Sequence, residues 1–191
     1  MVDIQVAPAT PERAVDVLEV FTGSGDRDCW CQYWRQSSSA YSSNAPGSGK
    51  KDLLQQVRNG PPPGMLAYFN DRPVGWLGFW PRENLERLAH SRTIPKIDDK
   101  PVWSIVCFKI QVGYRRKGIA KALLRGAIET AREFGAPAIE AYPIDPQGER
   151  IDVSLGYVGF IKMFEAAGFQ RIVETSARSD GRTRILMRLT F

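Results

Sequence analysis

The chain has 191 residues, 43% hydrophobic and 25% charged, with a formal net charge of +5. That length suits one domain, 1–191, with a sizeable core, and the composition is ordinary for a soluble globular protein. No apolar run approaches the ~20 residues of a membrane-spanning helix, and Met1-Val2-Asp3-Ile4-Gln5 lacks the parts of a signal peptide, so no membrane association and a cytoplasmic location are expected.

Val2-Asp3-Ile4-Gln5-Val6 alternates apolar and polar residues, which predicts a strand. Thr10-Pro11-Glu12 then opens a helix, with Thr10 as cap, Pro11 at the first helical position and Val15, Val17, Leu18 and Phe21 as the apolar face. Residues 22–50 are expected to form a mobile loop on the substrate side. Its first part is rich in aromatics and charges, and Gln36 to Lys50 is mostly Ser, Gly, Ala and Asn. Cys29-Trp30-Cys31 and Cys107 are the only cysteines and His90 the only histidine, so no four-ligand zinc site or disulfide framework is expected. Gly47-Ser48-Gly49-Lys50 is no P-loop, because position 44 is Asn and position 51 is Lys.

A short helix carries Leu53, Leu54 and Val57 and stops at Gly60-Pro61-Pro62-Pro63-Gly64. Met65 to Phe69 and Val74 to Trp80 read as a hairpin around Asn70-Asp71-Arg72-Pro73. A polar connection, Pro81 to Lys100, leads to a strand over Val102 to Val112 and a helix over Ile119 to Phe134, ended by Gly135 and Pro137. Ala138 to Tyr142 is a strand, Tyr157 to Ala167 a helix, and Phe169 to Thr175 and Thr183 to Thr190 complete the sheet. Strand–helix–strand over 102–145 implies a parallel pair, and the hairpins imply antiparallel neighbours. The expected class is α+β, a mixed sheet with helices on both faces.

The positive charge is concentrated in Arg115, Arg116, Lys117, Lys121 and Arg125. A compact cluster suits a compact anion better than a nucleic acid duplex. These residues lie where a strand ends in a tight turn and a helix begins. Backbone N–H groups at a helix start have no internal partner and attract anions. Gly118 has no Cβ to keep a ligand away, and Ala120 keeps the next turn thin. A phosphate or diphosphate is the natural ligand. Gly113 and Gly118 are spaced wrongly for a dinucleotide fingerprint.

Arg115-x-x-Gly118-x-Ala120 resembles the R/Q-x-x-G-x-G/A signature of the Gcn5-related N-acetyltransferase (GNAT) family, and Phe164-Glu165-Ala166-Ala167-Gly168-Phe169 is similar to that family's second motif. The resemblance spans 60–191, with a looser match before it. It implies a mixed, mostly antiparallel sheet of six or seven strands with a parallel central pair. It also implies transfer of an acetyl group from acetyl-CoA, as co-substrate, to an amine of a small molecule or protein within a ternary complex. No metal or nucleic acid is implied, and a homodimer is left open. A non-catalytic acyl-CoA-binding or sensing module is the alternative.

The resemblance assigns the cofactor to the strand and turn residues Phe108, Ile110, Val112, Arg115, Arg116, Lys117, Gly118, Ile119, Ala120 and Lys121. Free N–H groups near Phe108 and Ile110 would meet the acetyl carbonyl. Two family residues are absent: Phe164 stands where many members have a tyrosine acid, and Ser104 where several have a glutamate base. Tyr157 is the first replacement acid, with a packing tyrosine as the alternative. Asp145 or Glu140 is the replacement base, with a capped loop carboxylate as the alternative. Cys107 reads as a buried small residue rather than a nucleophile. Trp30, Tyr33, Trp34 and Trp80 are acceptor-side candidates, helped by Asp26, Asp28 and Arg82; alternatively the tryptophans only cover the sheet.

Overall fold

The computed structural model describes residues 3–22, 29–145 and 157–191. Seven strands form one sheet: β1 (Ile4–Pro8), β2 (Gly64–Phe69), β3 (Arg72–Pro81), β4 (Trp103–Ile110), β5 (Ala138–Ala141), β6 (Gln170–Ser179) and β7 (Arg182–Thr190). Their order is β1-β2-β3-β4-β5-β7-β6. Among the described strands, only β4 and β5 are parallel, over Trp103–Ile105 against Ile139–Ala141. All other neighbours are antiparallel. The β2–β3 hairpin turns on Asn70 and Asp71, both with positive φ, a conformation their short polar side chains tolerate.

Helices cover both faces, as expected. Adjacent strand residues point to opposite sides, so Leu77, Ile105 and Met187 meet α5 (Ile119–Glu133) and α6 (Ile161–Glu165). Trp76, Val106 and Leu186 meet α1 (Ala14–Phe21), α3 (Ser48–Asn59) and α4 (Glu86–Ala89) on the other face. The helix α5 is seated close to the sheet because two glycines thin the interface. A Cβ at Gly75 would stand 3.0 Å from Ile119 Cγ2, and one at Gly126 2.9 Å from Met65 Cε.

Five details differ from the sequence reading. The first turn of the opening helix is a 3-10 turn, Pro11–Arg13, which rotates the face of α1. Val17, Val20 and Phe21 are therefore buried and Val15 is 72% exposed. Thr10 does not cap the backbone; its Oγ1 accepts from Arg13 Nη1 at 3.1 Å. The Ser- and Gly-rich stretch read as a loop contains α2 (Ser38–Ser42), capped by the Ser37 side chain, and the start of α3. Burial of Gly49, Leu53 and Val57 overrides the weak local helix propensity.

The expected helix over 157–167 is shortened to α6. Phe160 is extended and pairs with Ile144, and Gly159 has φ +83°. The connection over 81–100 is not merely polar, since it carries α4 and buries Arg82, Leu85, Leu88 and Ile94.

Leu123 is fully buried under α5, and Leu123→Ala should lower the unfolding free energy by about 3 kcal/mol. Val15→Ala should change it by less than about 0.5 kcal/mol. Urea denaturation of both variants checks the placement of the two helix faces.

Candidate active site

The sheet opens at its centre. On β4, Gly78 faces Cys107 and Phe79 faces Ile105, so Val106 is an extra residue in a β-bulge. Pairing between β4 and β5 ends at Ile105, beside that bulge. Beyond it, no strand pairs with that flank of β4 among the described residues. Gln111 N–H bonds to Val74 O on β3 at 2.9 Å. By alternation, the N–H groups of Phe108 and Ile110 face away from β3, toward the vacated flank. Arg115 Nε donates to Ile110 O at 3.3 Å on that side.

Three residues past β5, Ile144 pairs with Arg184 on the β7 side and with Phe160 on the side β4 has left. The segment carrying Tyr157 therefore lies at the mouth of the opening.

The turn after β4 is exposed from Val112 to Gly118, apart from the half-buried Tyr114. Gly113, Arg116 and Gly118 all have positive φ. Gly118 is the N-cap of α5 at φ +86°, and no side chain caps the helix. The first bond into the helix is Ala122 N–H to Gly118 O, so the N–H groups of Ile119, Ala120 and Lys121 have no acceptor within the helix. A Cβ at Gly118 would touch only Ile4 Cδ1, at 4.0 Å. The turn is thus open to a ligand, and Gly118 is required by its left-handed backbone rather than by crowding.

The surrounding side chains are basic or aromatic. Lys117 Nζ lies 5.0 Å over Phe69, Tyr114 packs edge-on against Phe69, and Lys121 and Arg125 are exposed one turn apart on α5. Ile119 is buried beneath the turn as its anchor. These groups make the turn attractive to a compact anion.

The acid–base candidates separate. Glu140 is 2% exposed and its carboxylate is fully engaged. It accepts from Arg188 at 3.0 and 2.6 Å, from Arg82 at 3.4 Å and from the Tyr142 hydroxyl at 2.6 Å. Tyr142 has one proton, given to Glu140, so it accepts from Ser104 Oγ at 2.8 Å and Arg82 Nη1 at 2.6 Å. Burial, then the Glu140 charge, pushes the Tyr142 phenol far above its ordinary value. Arg82 also donates to Leu88 O and Ile94 O, and Arg188 to Asp98. The expectation of Glu140 as a base is corrected accordingly: it is the counter-ion that ties residues 82–98 to the sheet.

Asp145 is partly exposed, 3.7 Å from Arg171, and has its backbone N–H on Thr183 O. Tyr157 is half-buried and its hydroxyl accepts from Arg184 Nη2 at 3.1 Å. Burial raises its pKa, and the Arg184 charge works against that rise. Phe164 is buried between Phe108 and Phe169.

The acceptor-side aromatics sit on the face opposite α5. Trp30 stacks on Phe21 at 5.0 Å, Tyr33 packs edge-on against Trp34 and Tyr41, and Trp80 donates to Pro61 O. Arg35 lies 5.0 Å over Trp80, Arg87 4.2 Å over Tyr33, and Arg184 5.8 Å from Trp34. Asp26 and Asp28 lie outside the described residues. The Cys31 thiol is pulled down to about 6, first by a hydrogen bond from Cys107 and then by the Arg35 charge, against burial.

Arg35, Arg87, Tyr142, Arg184 and Arg188 escaped the sequence reading. The sequence carried no signal for Arg184 and Arg188, because every second residue of β7 from Arg182 is Arg, Arg, Leu, Arg and Thr, which reads as a solvent-facing side of the strand.

The profile of the acetyltransferase (GNAT) family matches residues 28–152, more than half of the chain. No curated protein matches by sequence. Among solved structures, the polyamine N-acetyltransferase of Drosophila melanogaster superposes with a TM-score of 0.60 at 10% identity, covering 99% of this chain and 100% of that one. The ribosomal-protein-alanine N-acetyltransferase of Brucella melitensis gives 0.58 at 16% identity over 98% and 99%. A chain of the NatC complex bound to Gag peptide and CoA gives 0.56 at 14% over 99% of each. At these identities the likeness is one of fold.

Glu140→Ala leaves two buried guanidinium groups without their shared counter-ion and should cost about 3–5 kcal/mol. Asp145→Asn weakens a partly exposed ion pair with Arg171 and should cost less than about 1 kcal/mol. Chemical denaturation of the two variants distinguishes the roles.

Proposed function

As the chain belongs to the acetyltransferase (GNAT) family, we propose that it moves the acetyl group of acetyl-CoA to a primary amine of a small molecule or protein, with both substrates bound together. One observation carries the reading. The exposed turn, with Gly118 left-handed and the α5 N–H groups open, lies at the end of the β4 flank that β5 has left. Acetyl-CoA supplies an activated thioester to such a site. The chain supplies everything else.

Peptide nitrogens from Arg116 to Lys121 hold the diphosphate, with Arg115, Lys117 and Lys121 adding positive charge. The Phe108 and Ile110 N–H groups stabilise negative charge on the carbonyl oxygen as the amine attacks. Holding amine and thioester side by side supplies much of the acceleration. Tyr157 returns a proton to the departing sulfur. Its raised pKa keeps the phenol protonated through the neutral range, and the Arg184 guanidinium steadies the phenolate left behind. Asp145 accepts the proton of the amine through water.

The second reading, an acyl-CoA-binding module without turnover, draws on Phe164 and Ser104. Both stand at the family's acid and base positions, and both are buried, one apolar and the other hydrogen-bonded to Tyr142.

Calorimetry with acetyl-CoA should give saturable binding, abolished by Gly118→Glu, which combines a strained backbone with a repelling charge. Undiminished binding by that variant would remove the turn from the site. Gly118→Ala, which carries only the backbone strain of about 1–2 kcal/mol, should bind about tenfold more weakly.

A general acid must be protonated to act, so activity falls as pH rises through its pKa. With Tyr157 raised above its ordinary value of 10.0, the alkaline limb of kcat should lie above pH 10. Tyr157→Phe should lower kcat by about 100-fold and erase that limb.

A further inference from the structure

On the face opposite α5, Tyr157, Arg184, Trp34, Tyr33, Arg87 and Tyr41 form a continuous strip in which guanidinium groups and aromatic rings alternate. Arg184 lies 5.8 Å from the ring centroids of both Tyr157 and Trp34. Trp34 packs against Tyr33 at 5.1 Å, and Arg87 lies 4.2 Å over Tyr33 and 5.4 Å over Tyr41. The strip begins at the mouth of the β4–β5 opening, where Arg184 pairs with Ile144. It ends at Tyr33 and Arg87, which are open to solvent in part.

Among the described residues, the strip has donors in excess and no matching acid. Arg184 is 4% exposed, yet its partners are neutral oxygens, Tyr142 O at 3.1 Å and the Tyr157 hydroxyl. No carboxylate lies within ion-pair distance of Arg184, Arg87 or the neighbouring Arg35 among the described residues. Glu86, next to Arg87, accepts from the Ser37 N–H instead. Among the described residues, Trp34 Nε1, Arg87 Nε and Arg35 Nη1 are buried donors without a hydrogen-bond partner. Burial of a guanidinium without an anion is strongly unfavourable, so an anion bound at this strip would be stabilised.

Resting on the acetyltransferase reading, we propose that the strip is the acceptor site and that it selects amines carrying a carboxylate. The carboxylate completes the Arg184 guanidinium, whose planar fork matches two oxygens on one carbon. A single buried guanidinium at the inner end suits a singly charged group better than a doubly charged phosphate. The rings of Trp34 and Tyr157 flank that guanidinium and the aliphatic part of the acceptor. The amino group is then directed toward the β4 opening beside Tyr157. A polycation is disfavoured by the same charges.

The test is a turnover panel at saturating acetyl-CoA. It holds the common α-amino acids and short ω-amino acids, each against its own amide, together with phosphoethanolamine and a polyamine. For the preferred acceptor, kcat/KM should favour the acid over its amide by about 100-fold, and Arg184→Gln should collapse that ratio. Arg87→Gln, on a half-exposed part of the strip, should reduce the same ratio and serves if the Arg184 variant does not fold, which a thermal melt reports.

The inference is overturned if amides, phosphoethanolamine or the polyamine are preferred or match the acids. It is likewise overturned if both variants slow acids and amides equally, or if acetyl-CoA is bound but no amino acid is acetylated. Failure to bind acetyl-CoA at all would instead overturn the proposed function.

Discussion

A parallel strand pair that stops early is the constraint on which this molecule depends. Beyond Ile105, β4 keeps β3 on one side and loses β5 on the other. The bulge at Val106 is the local cause, since an inserted residue turns the strand and increases its twist. Exposed peptide groups in the middle of a sheet are normally a liability, because each unpaired N–H costs free energy when water is excluded. Here the vacancy lies directly behind a turn that offers further free N–H groups, so one elongated ligand can satisfy both. The strand, the turn and the helix behind it are consecutive in sequence, and the geometry needs no distant segment to create it.

Distant segments instead hold the opening in shape. Glu140 joins Arg82 and Arg188 beneath the connection that follows β3. Arg82 reaches the carbonyls of Leu88 and Ile94, and Arg188 reaches Asp98. Hydrogen bonds made by charged groups are therefore used to pin a coil-rich stretch to the back of the sheet. Such a network specifies one arrangement more than it adds stability, because the ions are desolvated before they attract. On the opposite face, α5 is positioned mainly by apolar packing, with Gly75 and Gly126 permitting the close fit.

Local signals were legible. The β2–β3 hairpin follows from Asn70-Asp71 between apolar runs, and the β4–turn–α5–β5 order follows from periodicity and from Gly118 and Gly135. The residues of the turn between β4 and α5 are adjacent in sequence, so their grouping was readable before the fold was known. Features that depend on tertiary contacts were not. Val106 carries no mark of a bulge. The stretch from Ser37 to Lys50 looks like a loop until the burial of Leu53 and Val57 is seen to support helix. Glu140 looked like a free acid on a strand, because the arginines that hold it stand 58 and 48 positions away. The break before α6 was hidden in Gly159, whose positive φ interrupts an otherwise helical pattern.

On the proposed reading, the turn at 112–118 would hold its ligand mainly through the peptide chain, and among its residues Gly118 has the left-handed backbone at the helix start. Recognition of that kind has little side-chain identity to lose. Substitutions at Arg115 or Lys117 would alter the local charge while leaving the amide hydrogens at the start of α5 in place. The segment is accordingly free to diverge over evolutionary time without forfeiting its grip, and a family built on it can share an architecture long after most of its letters have changed.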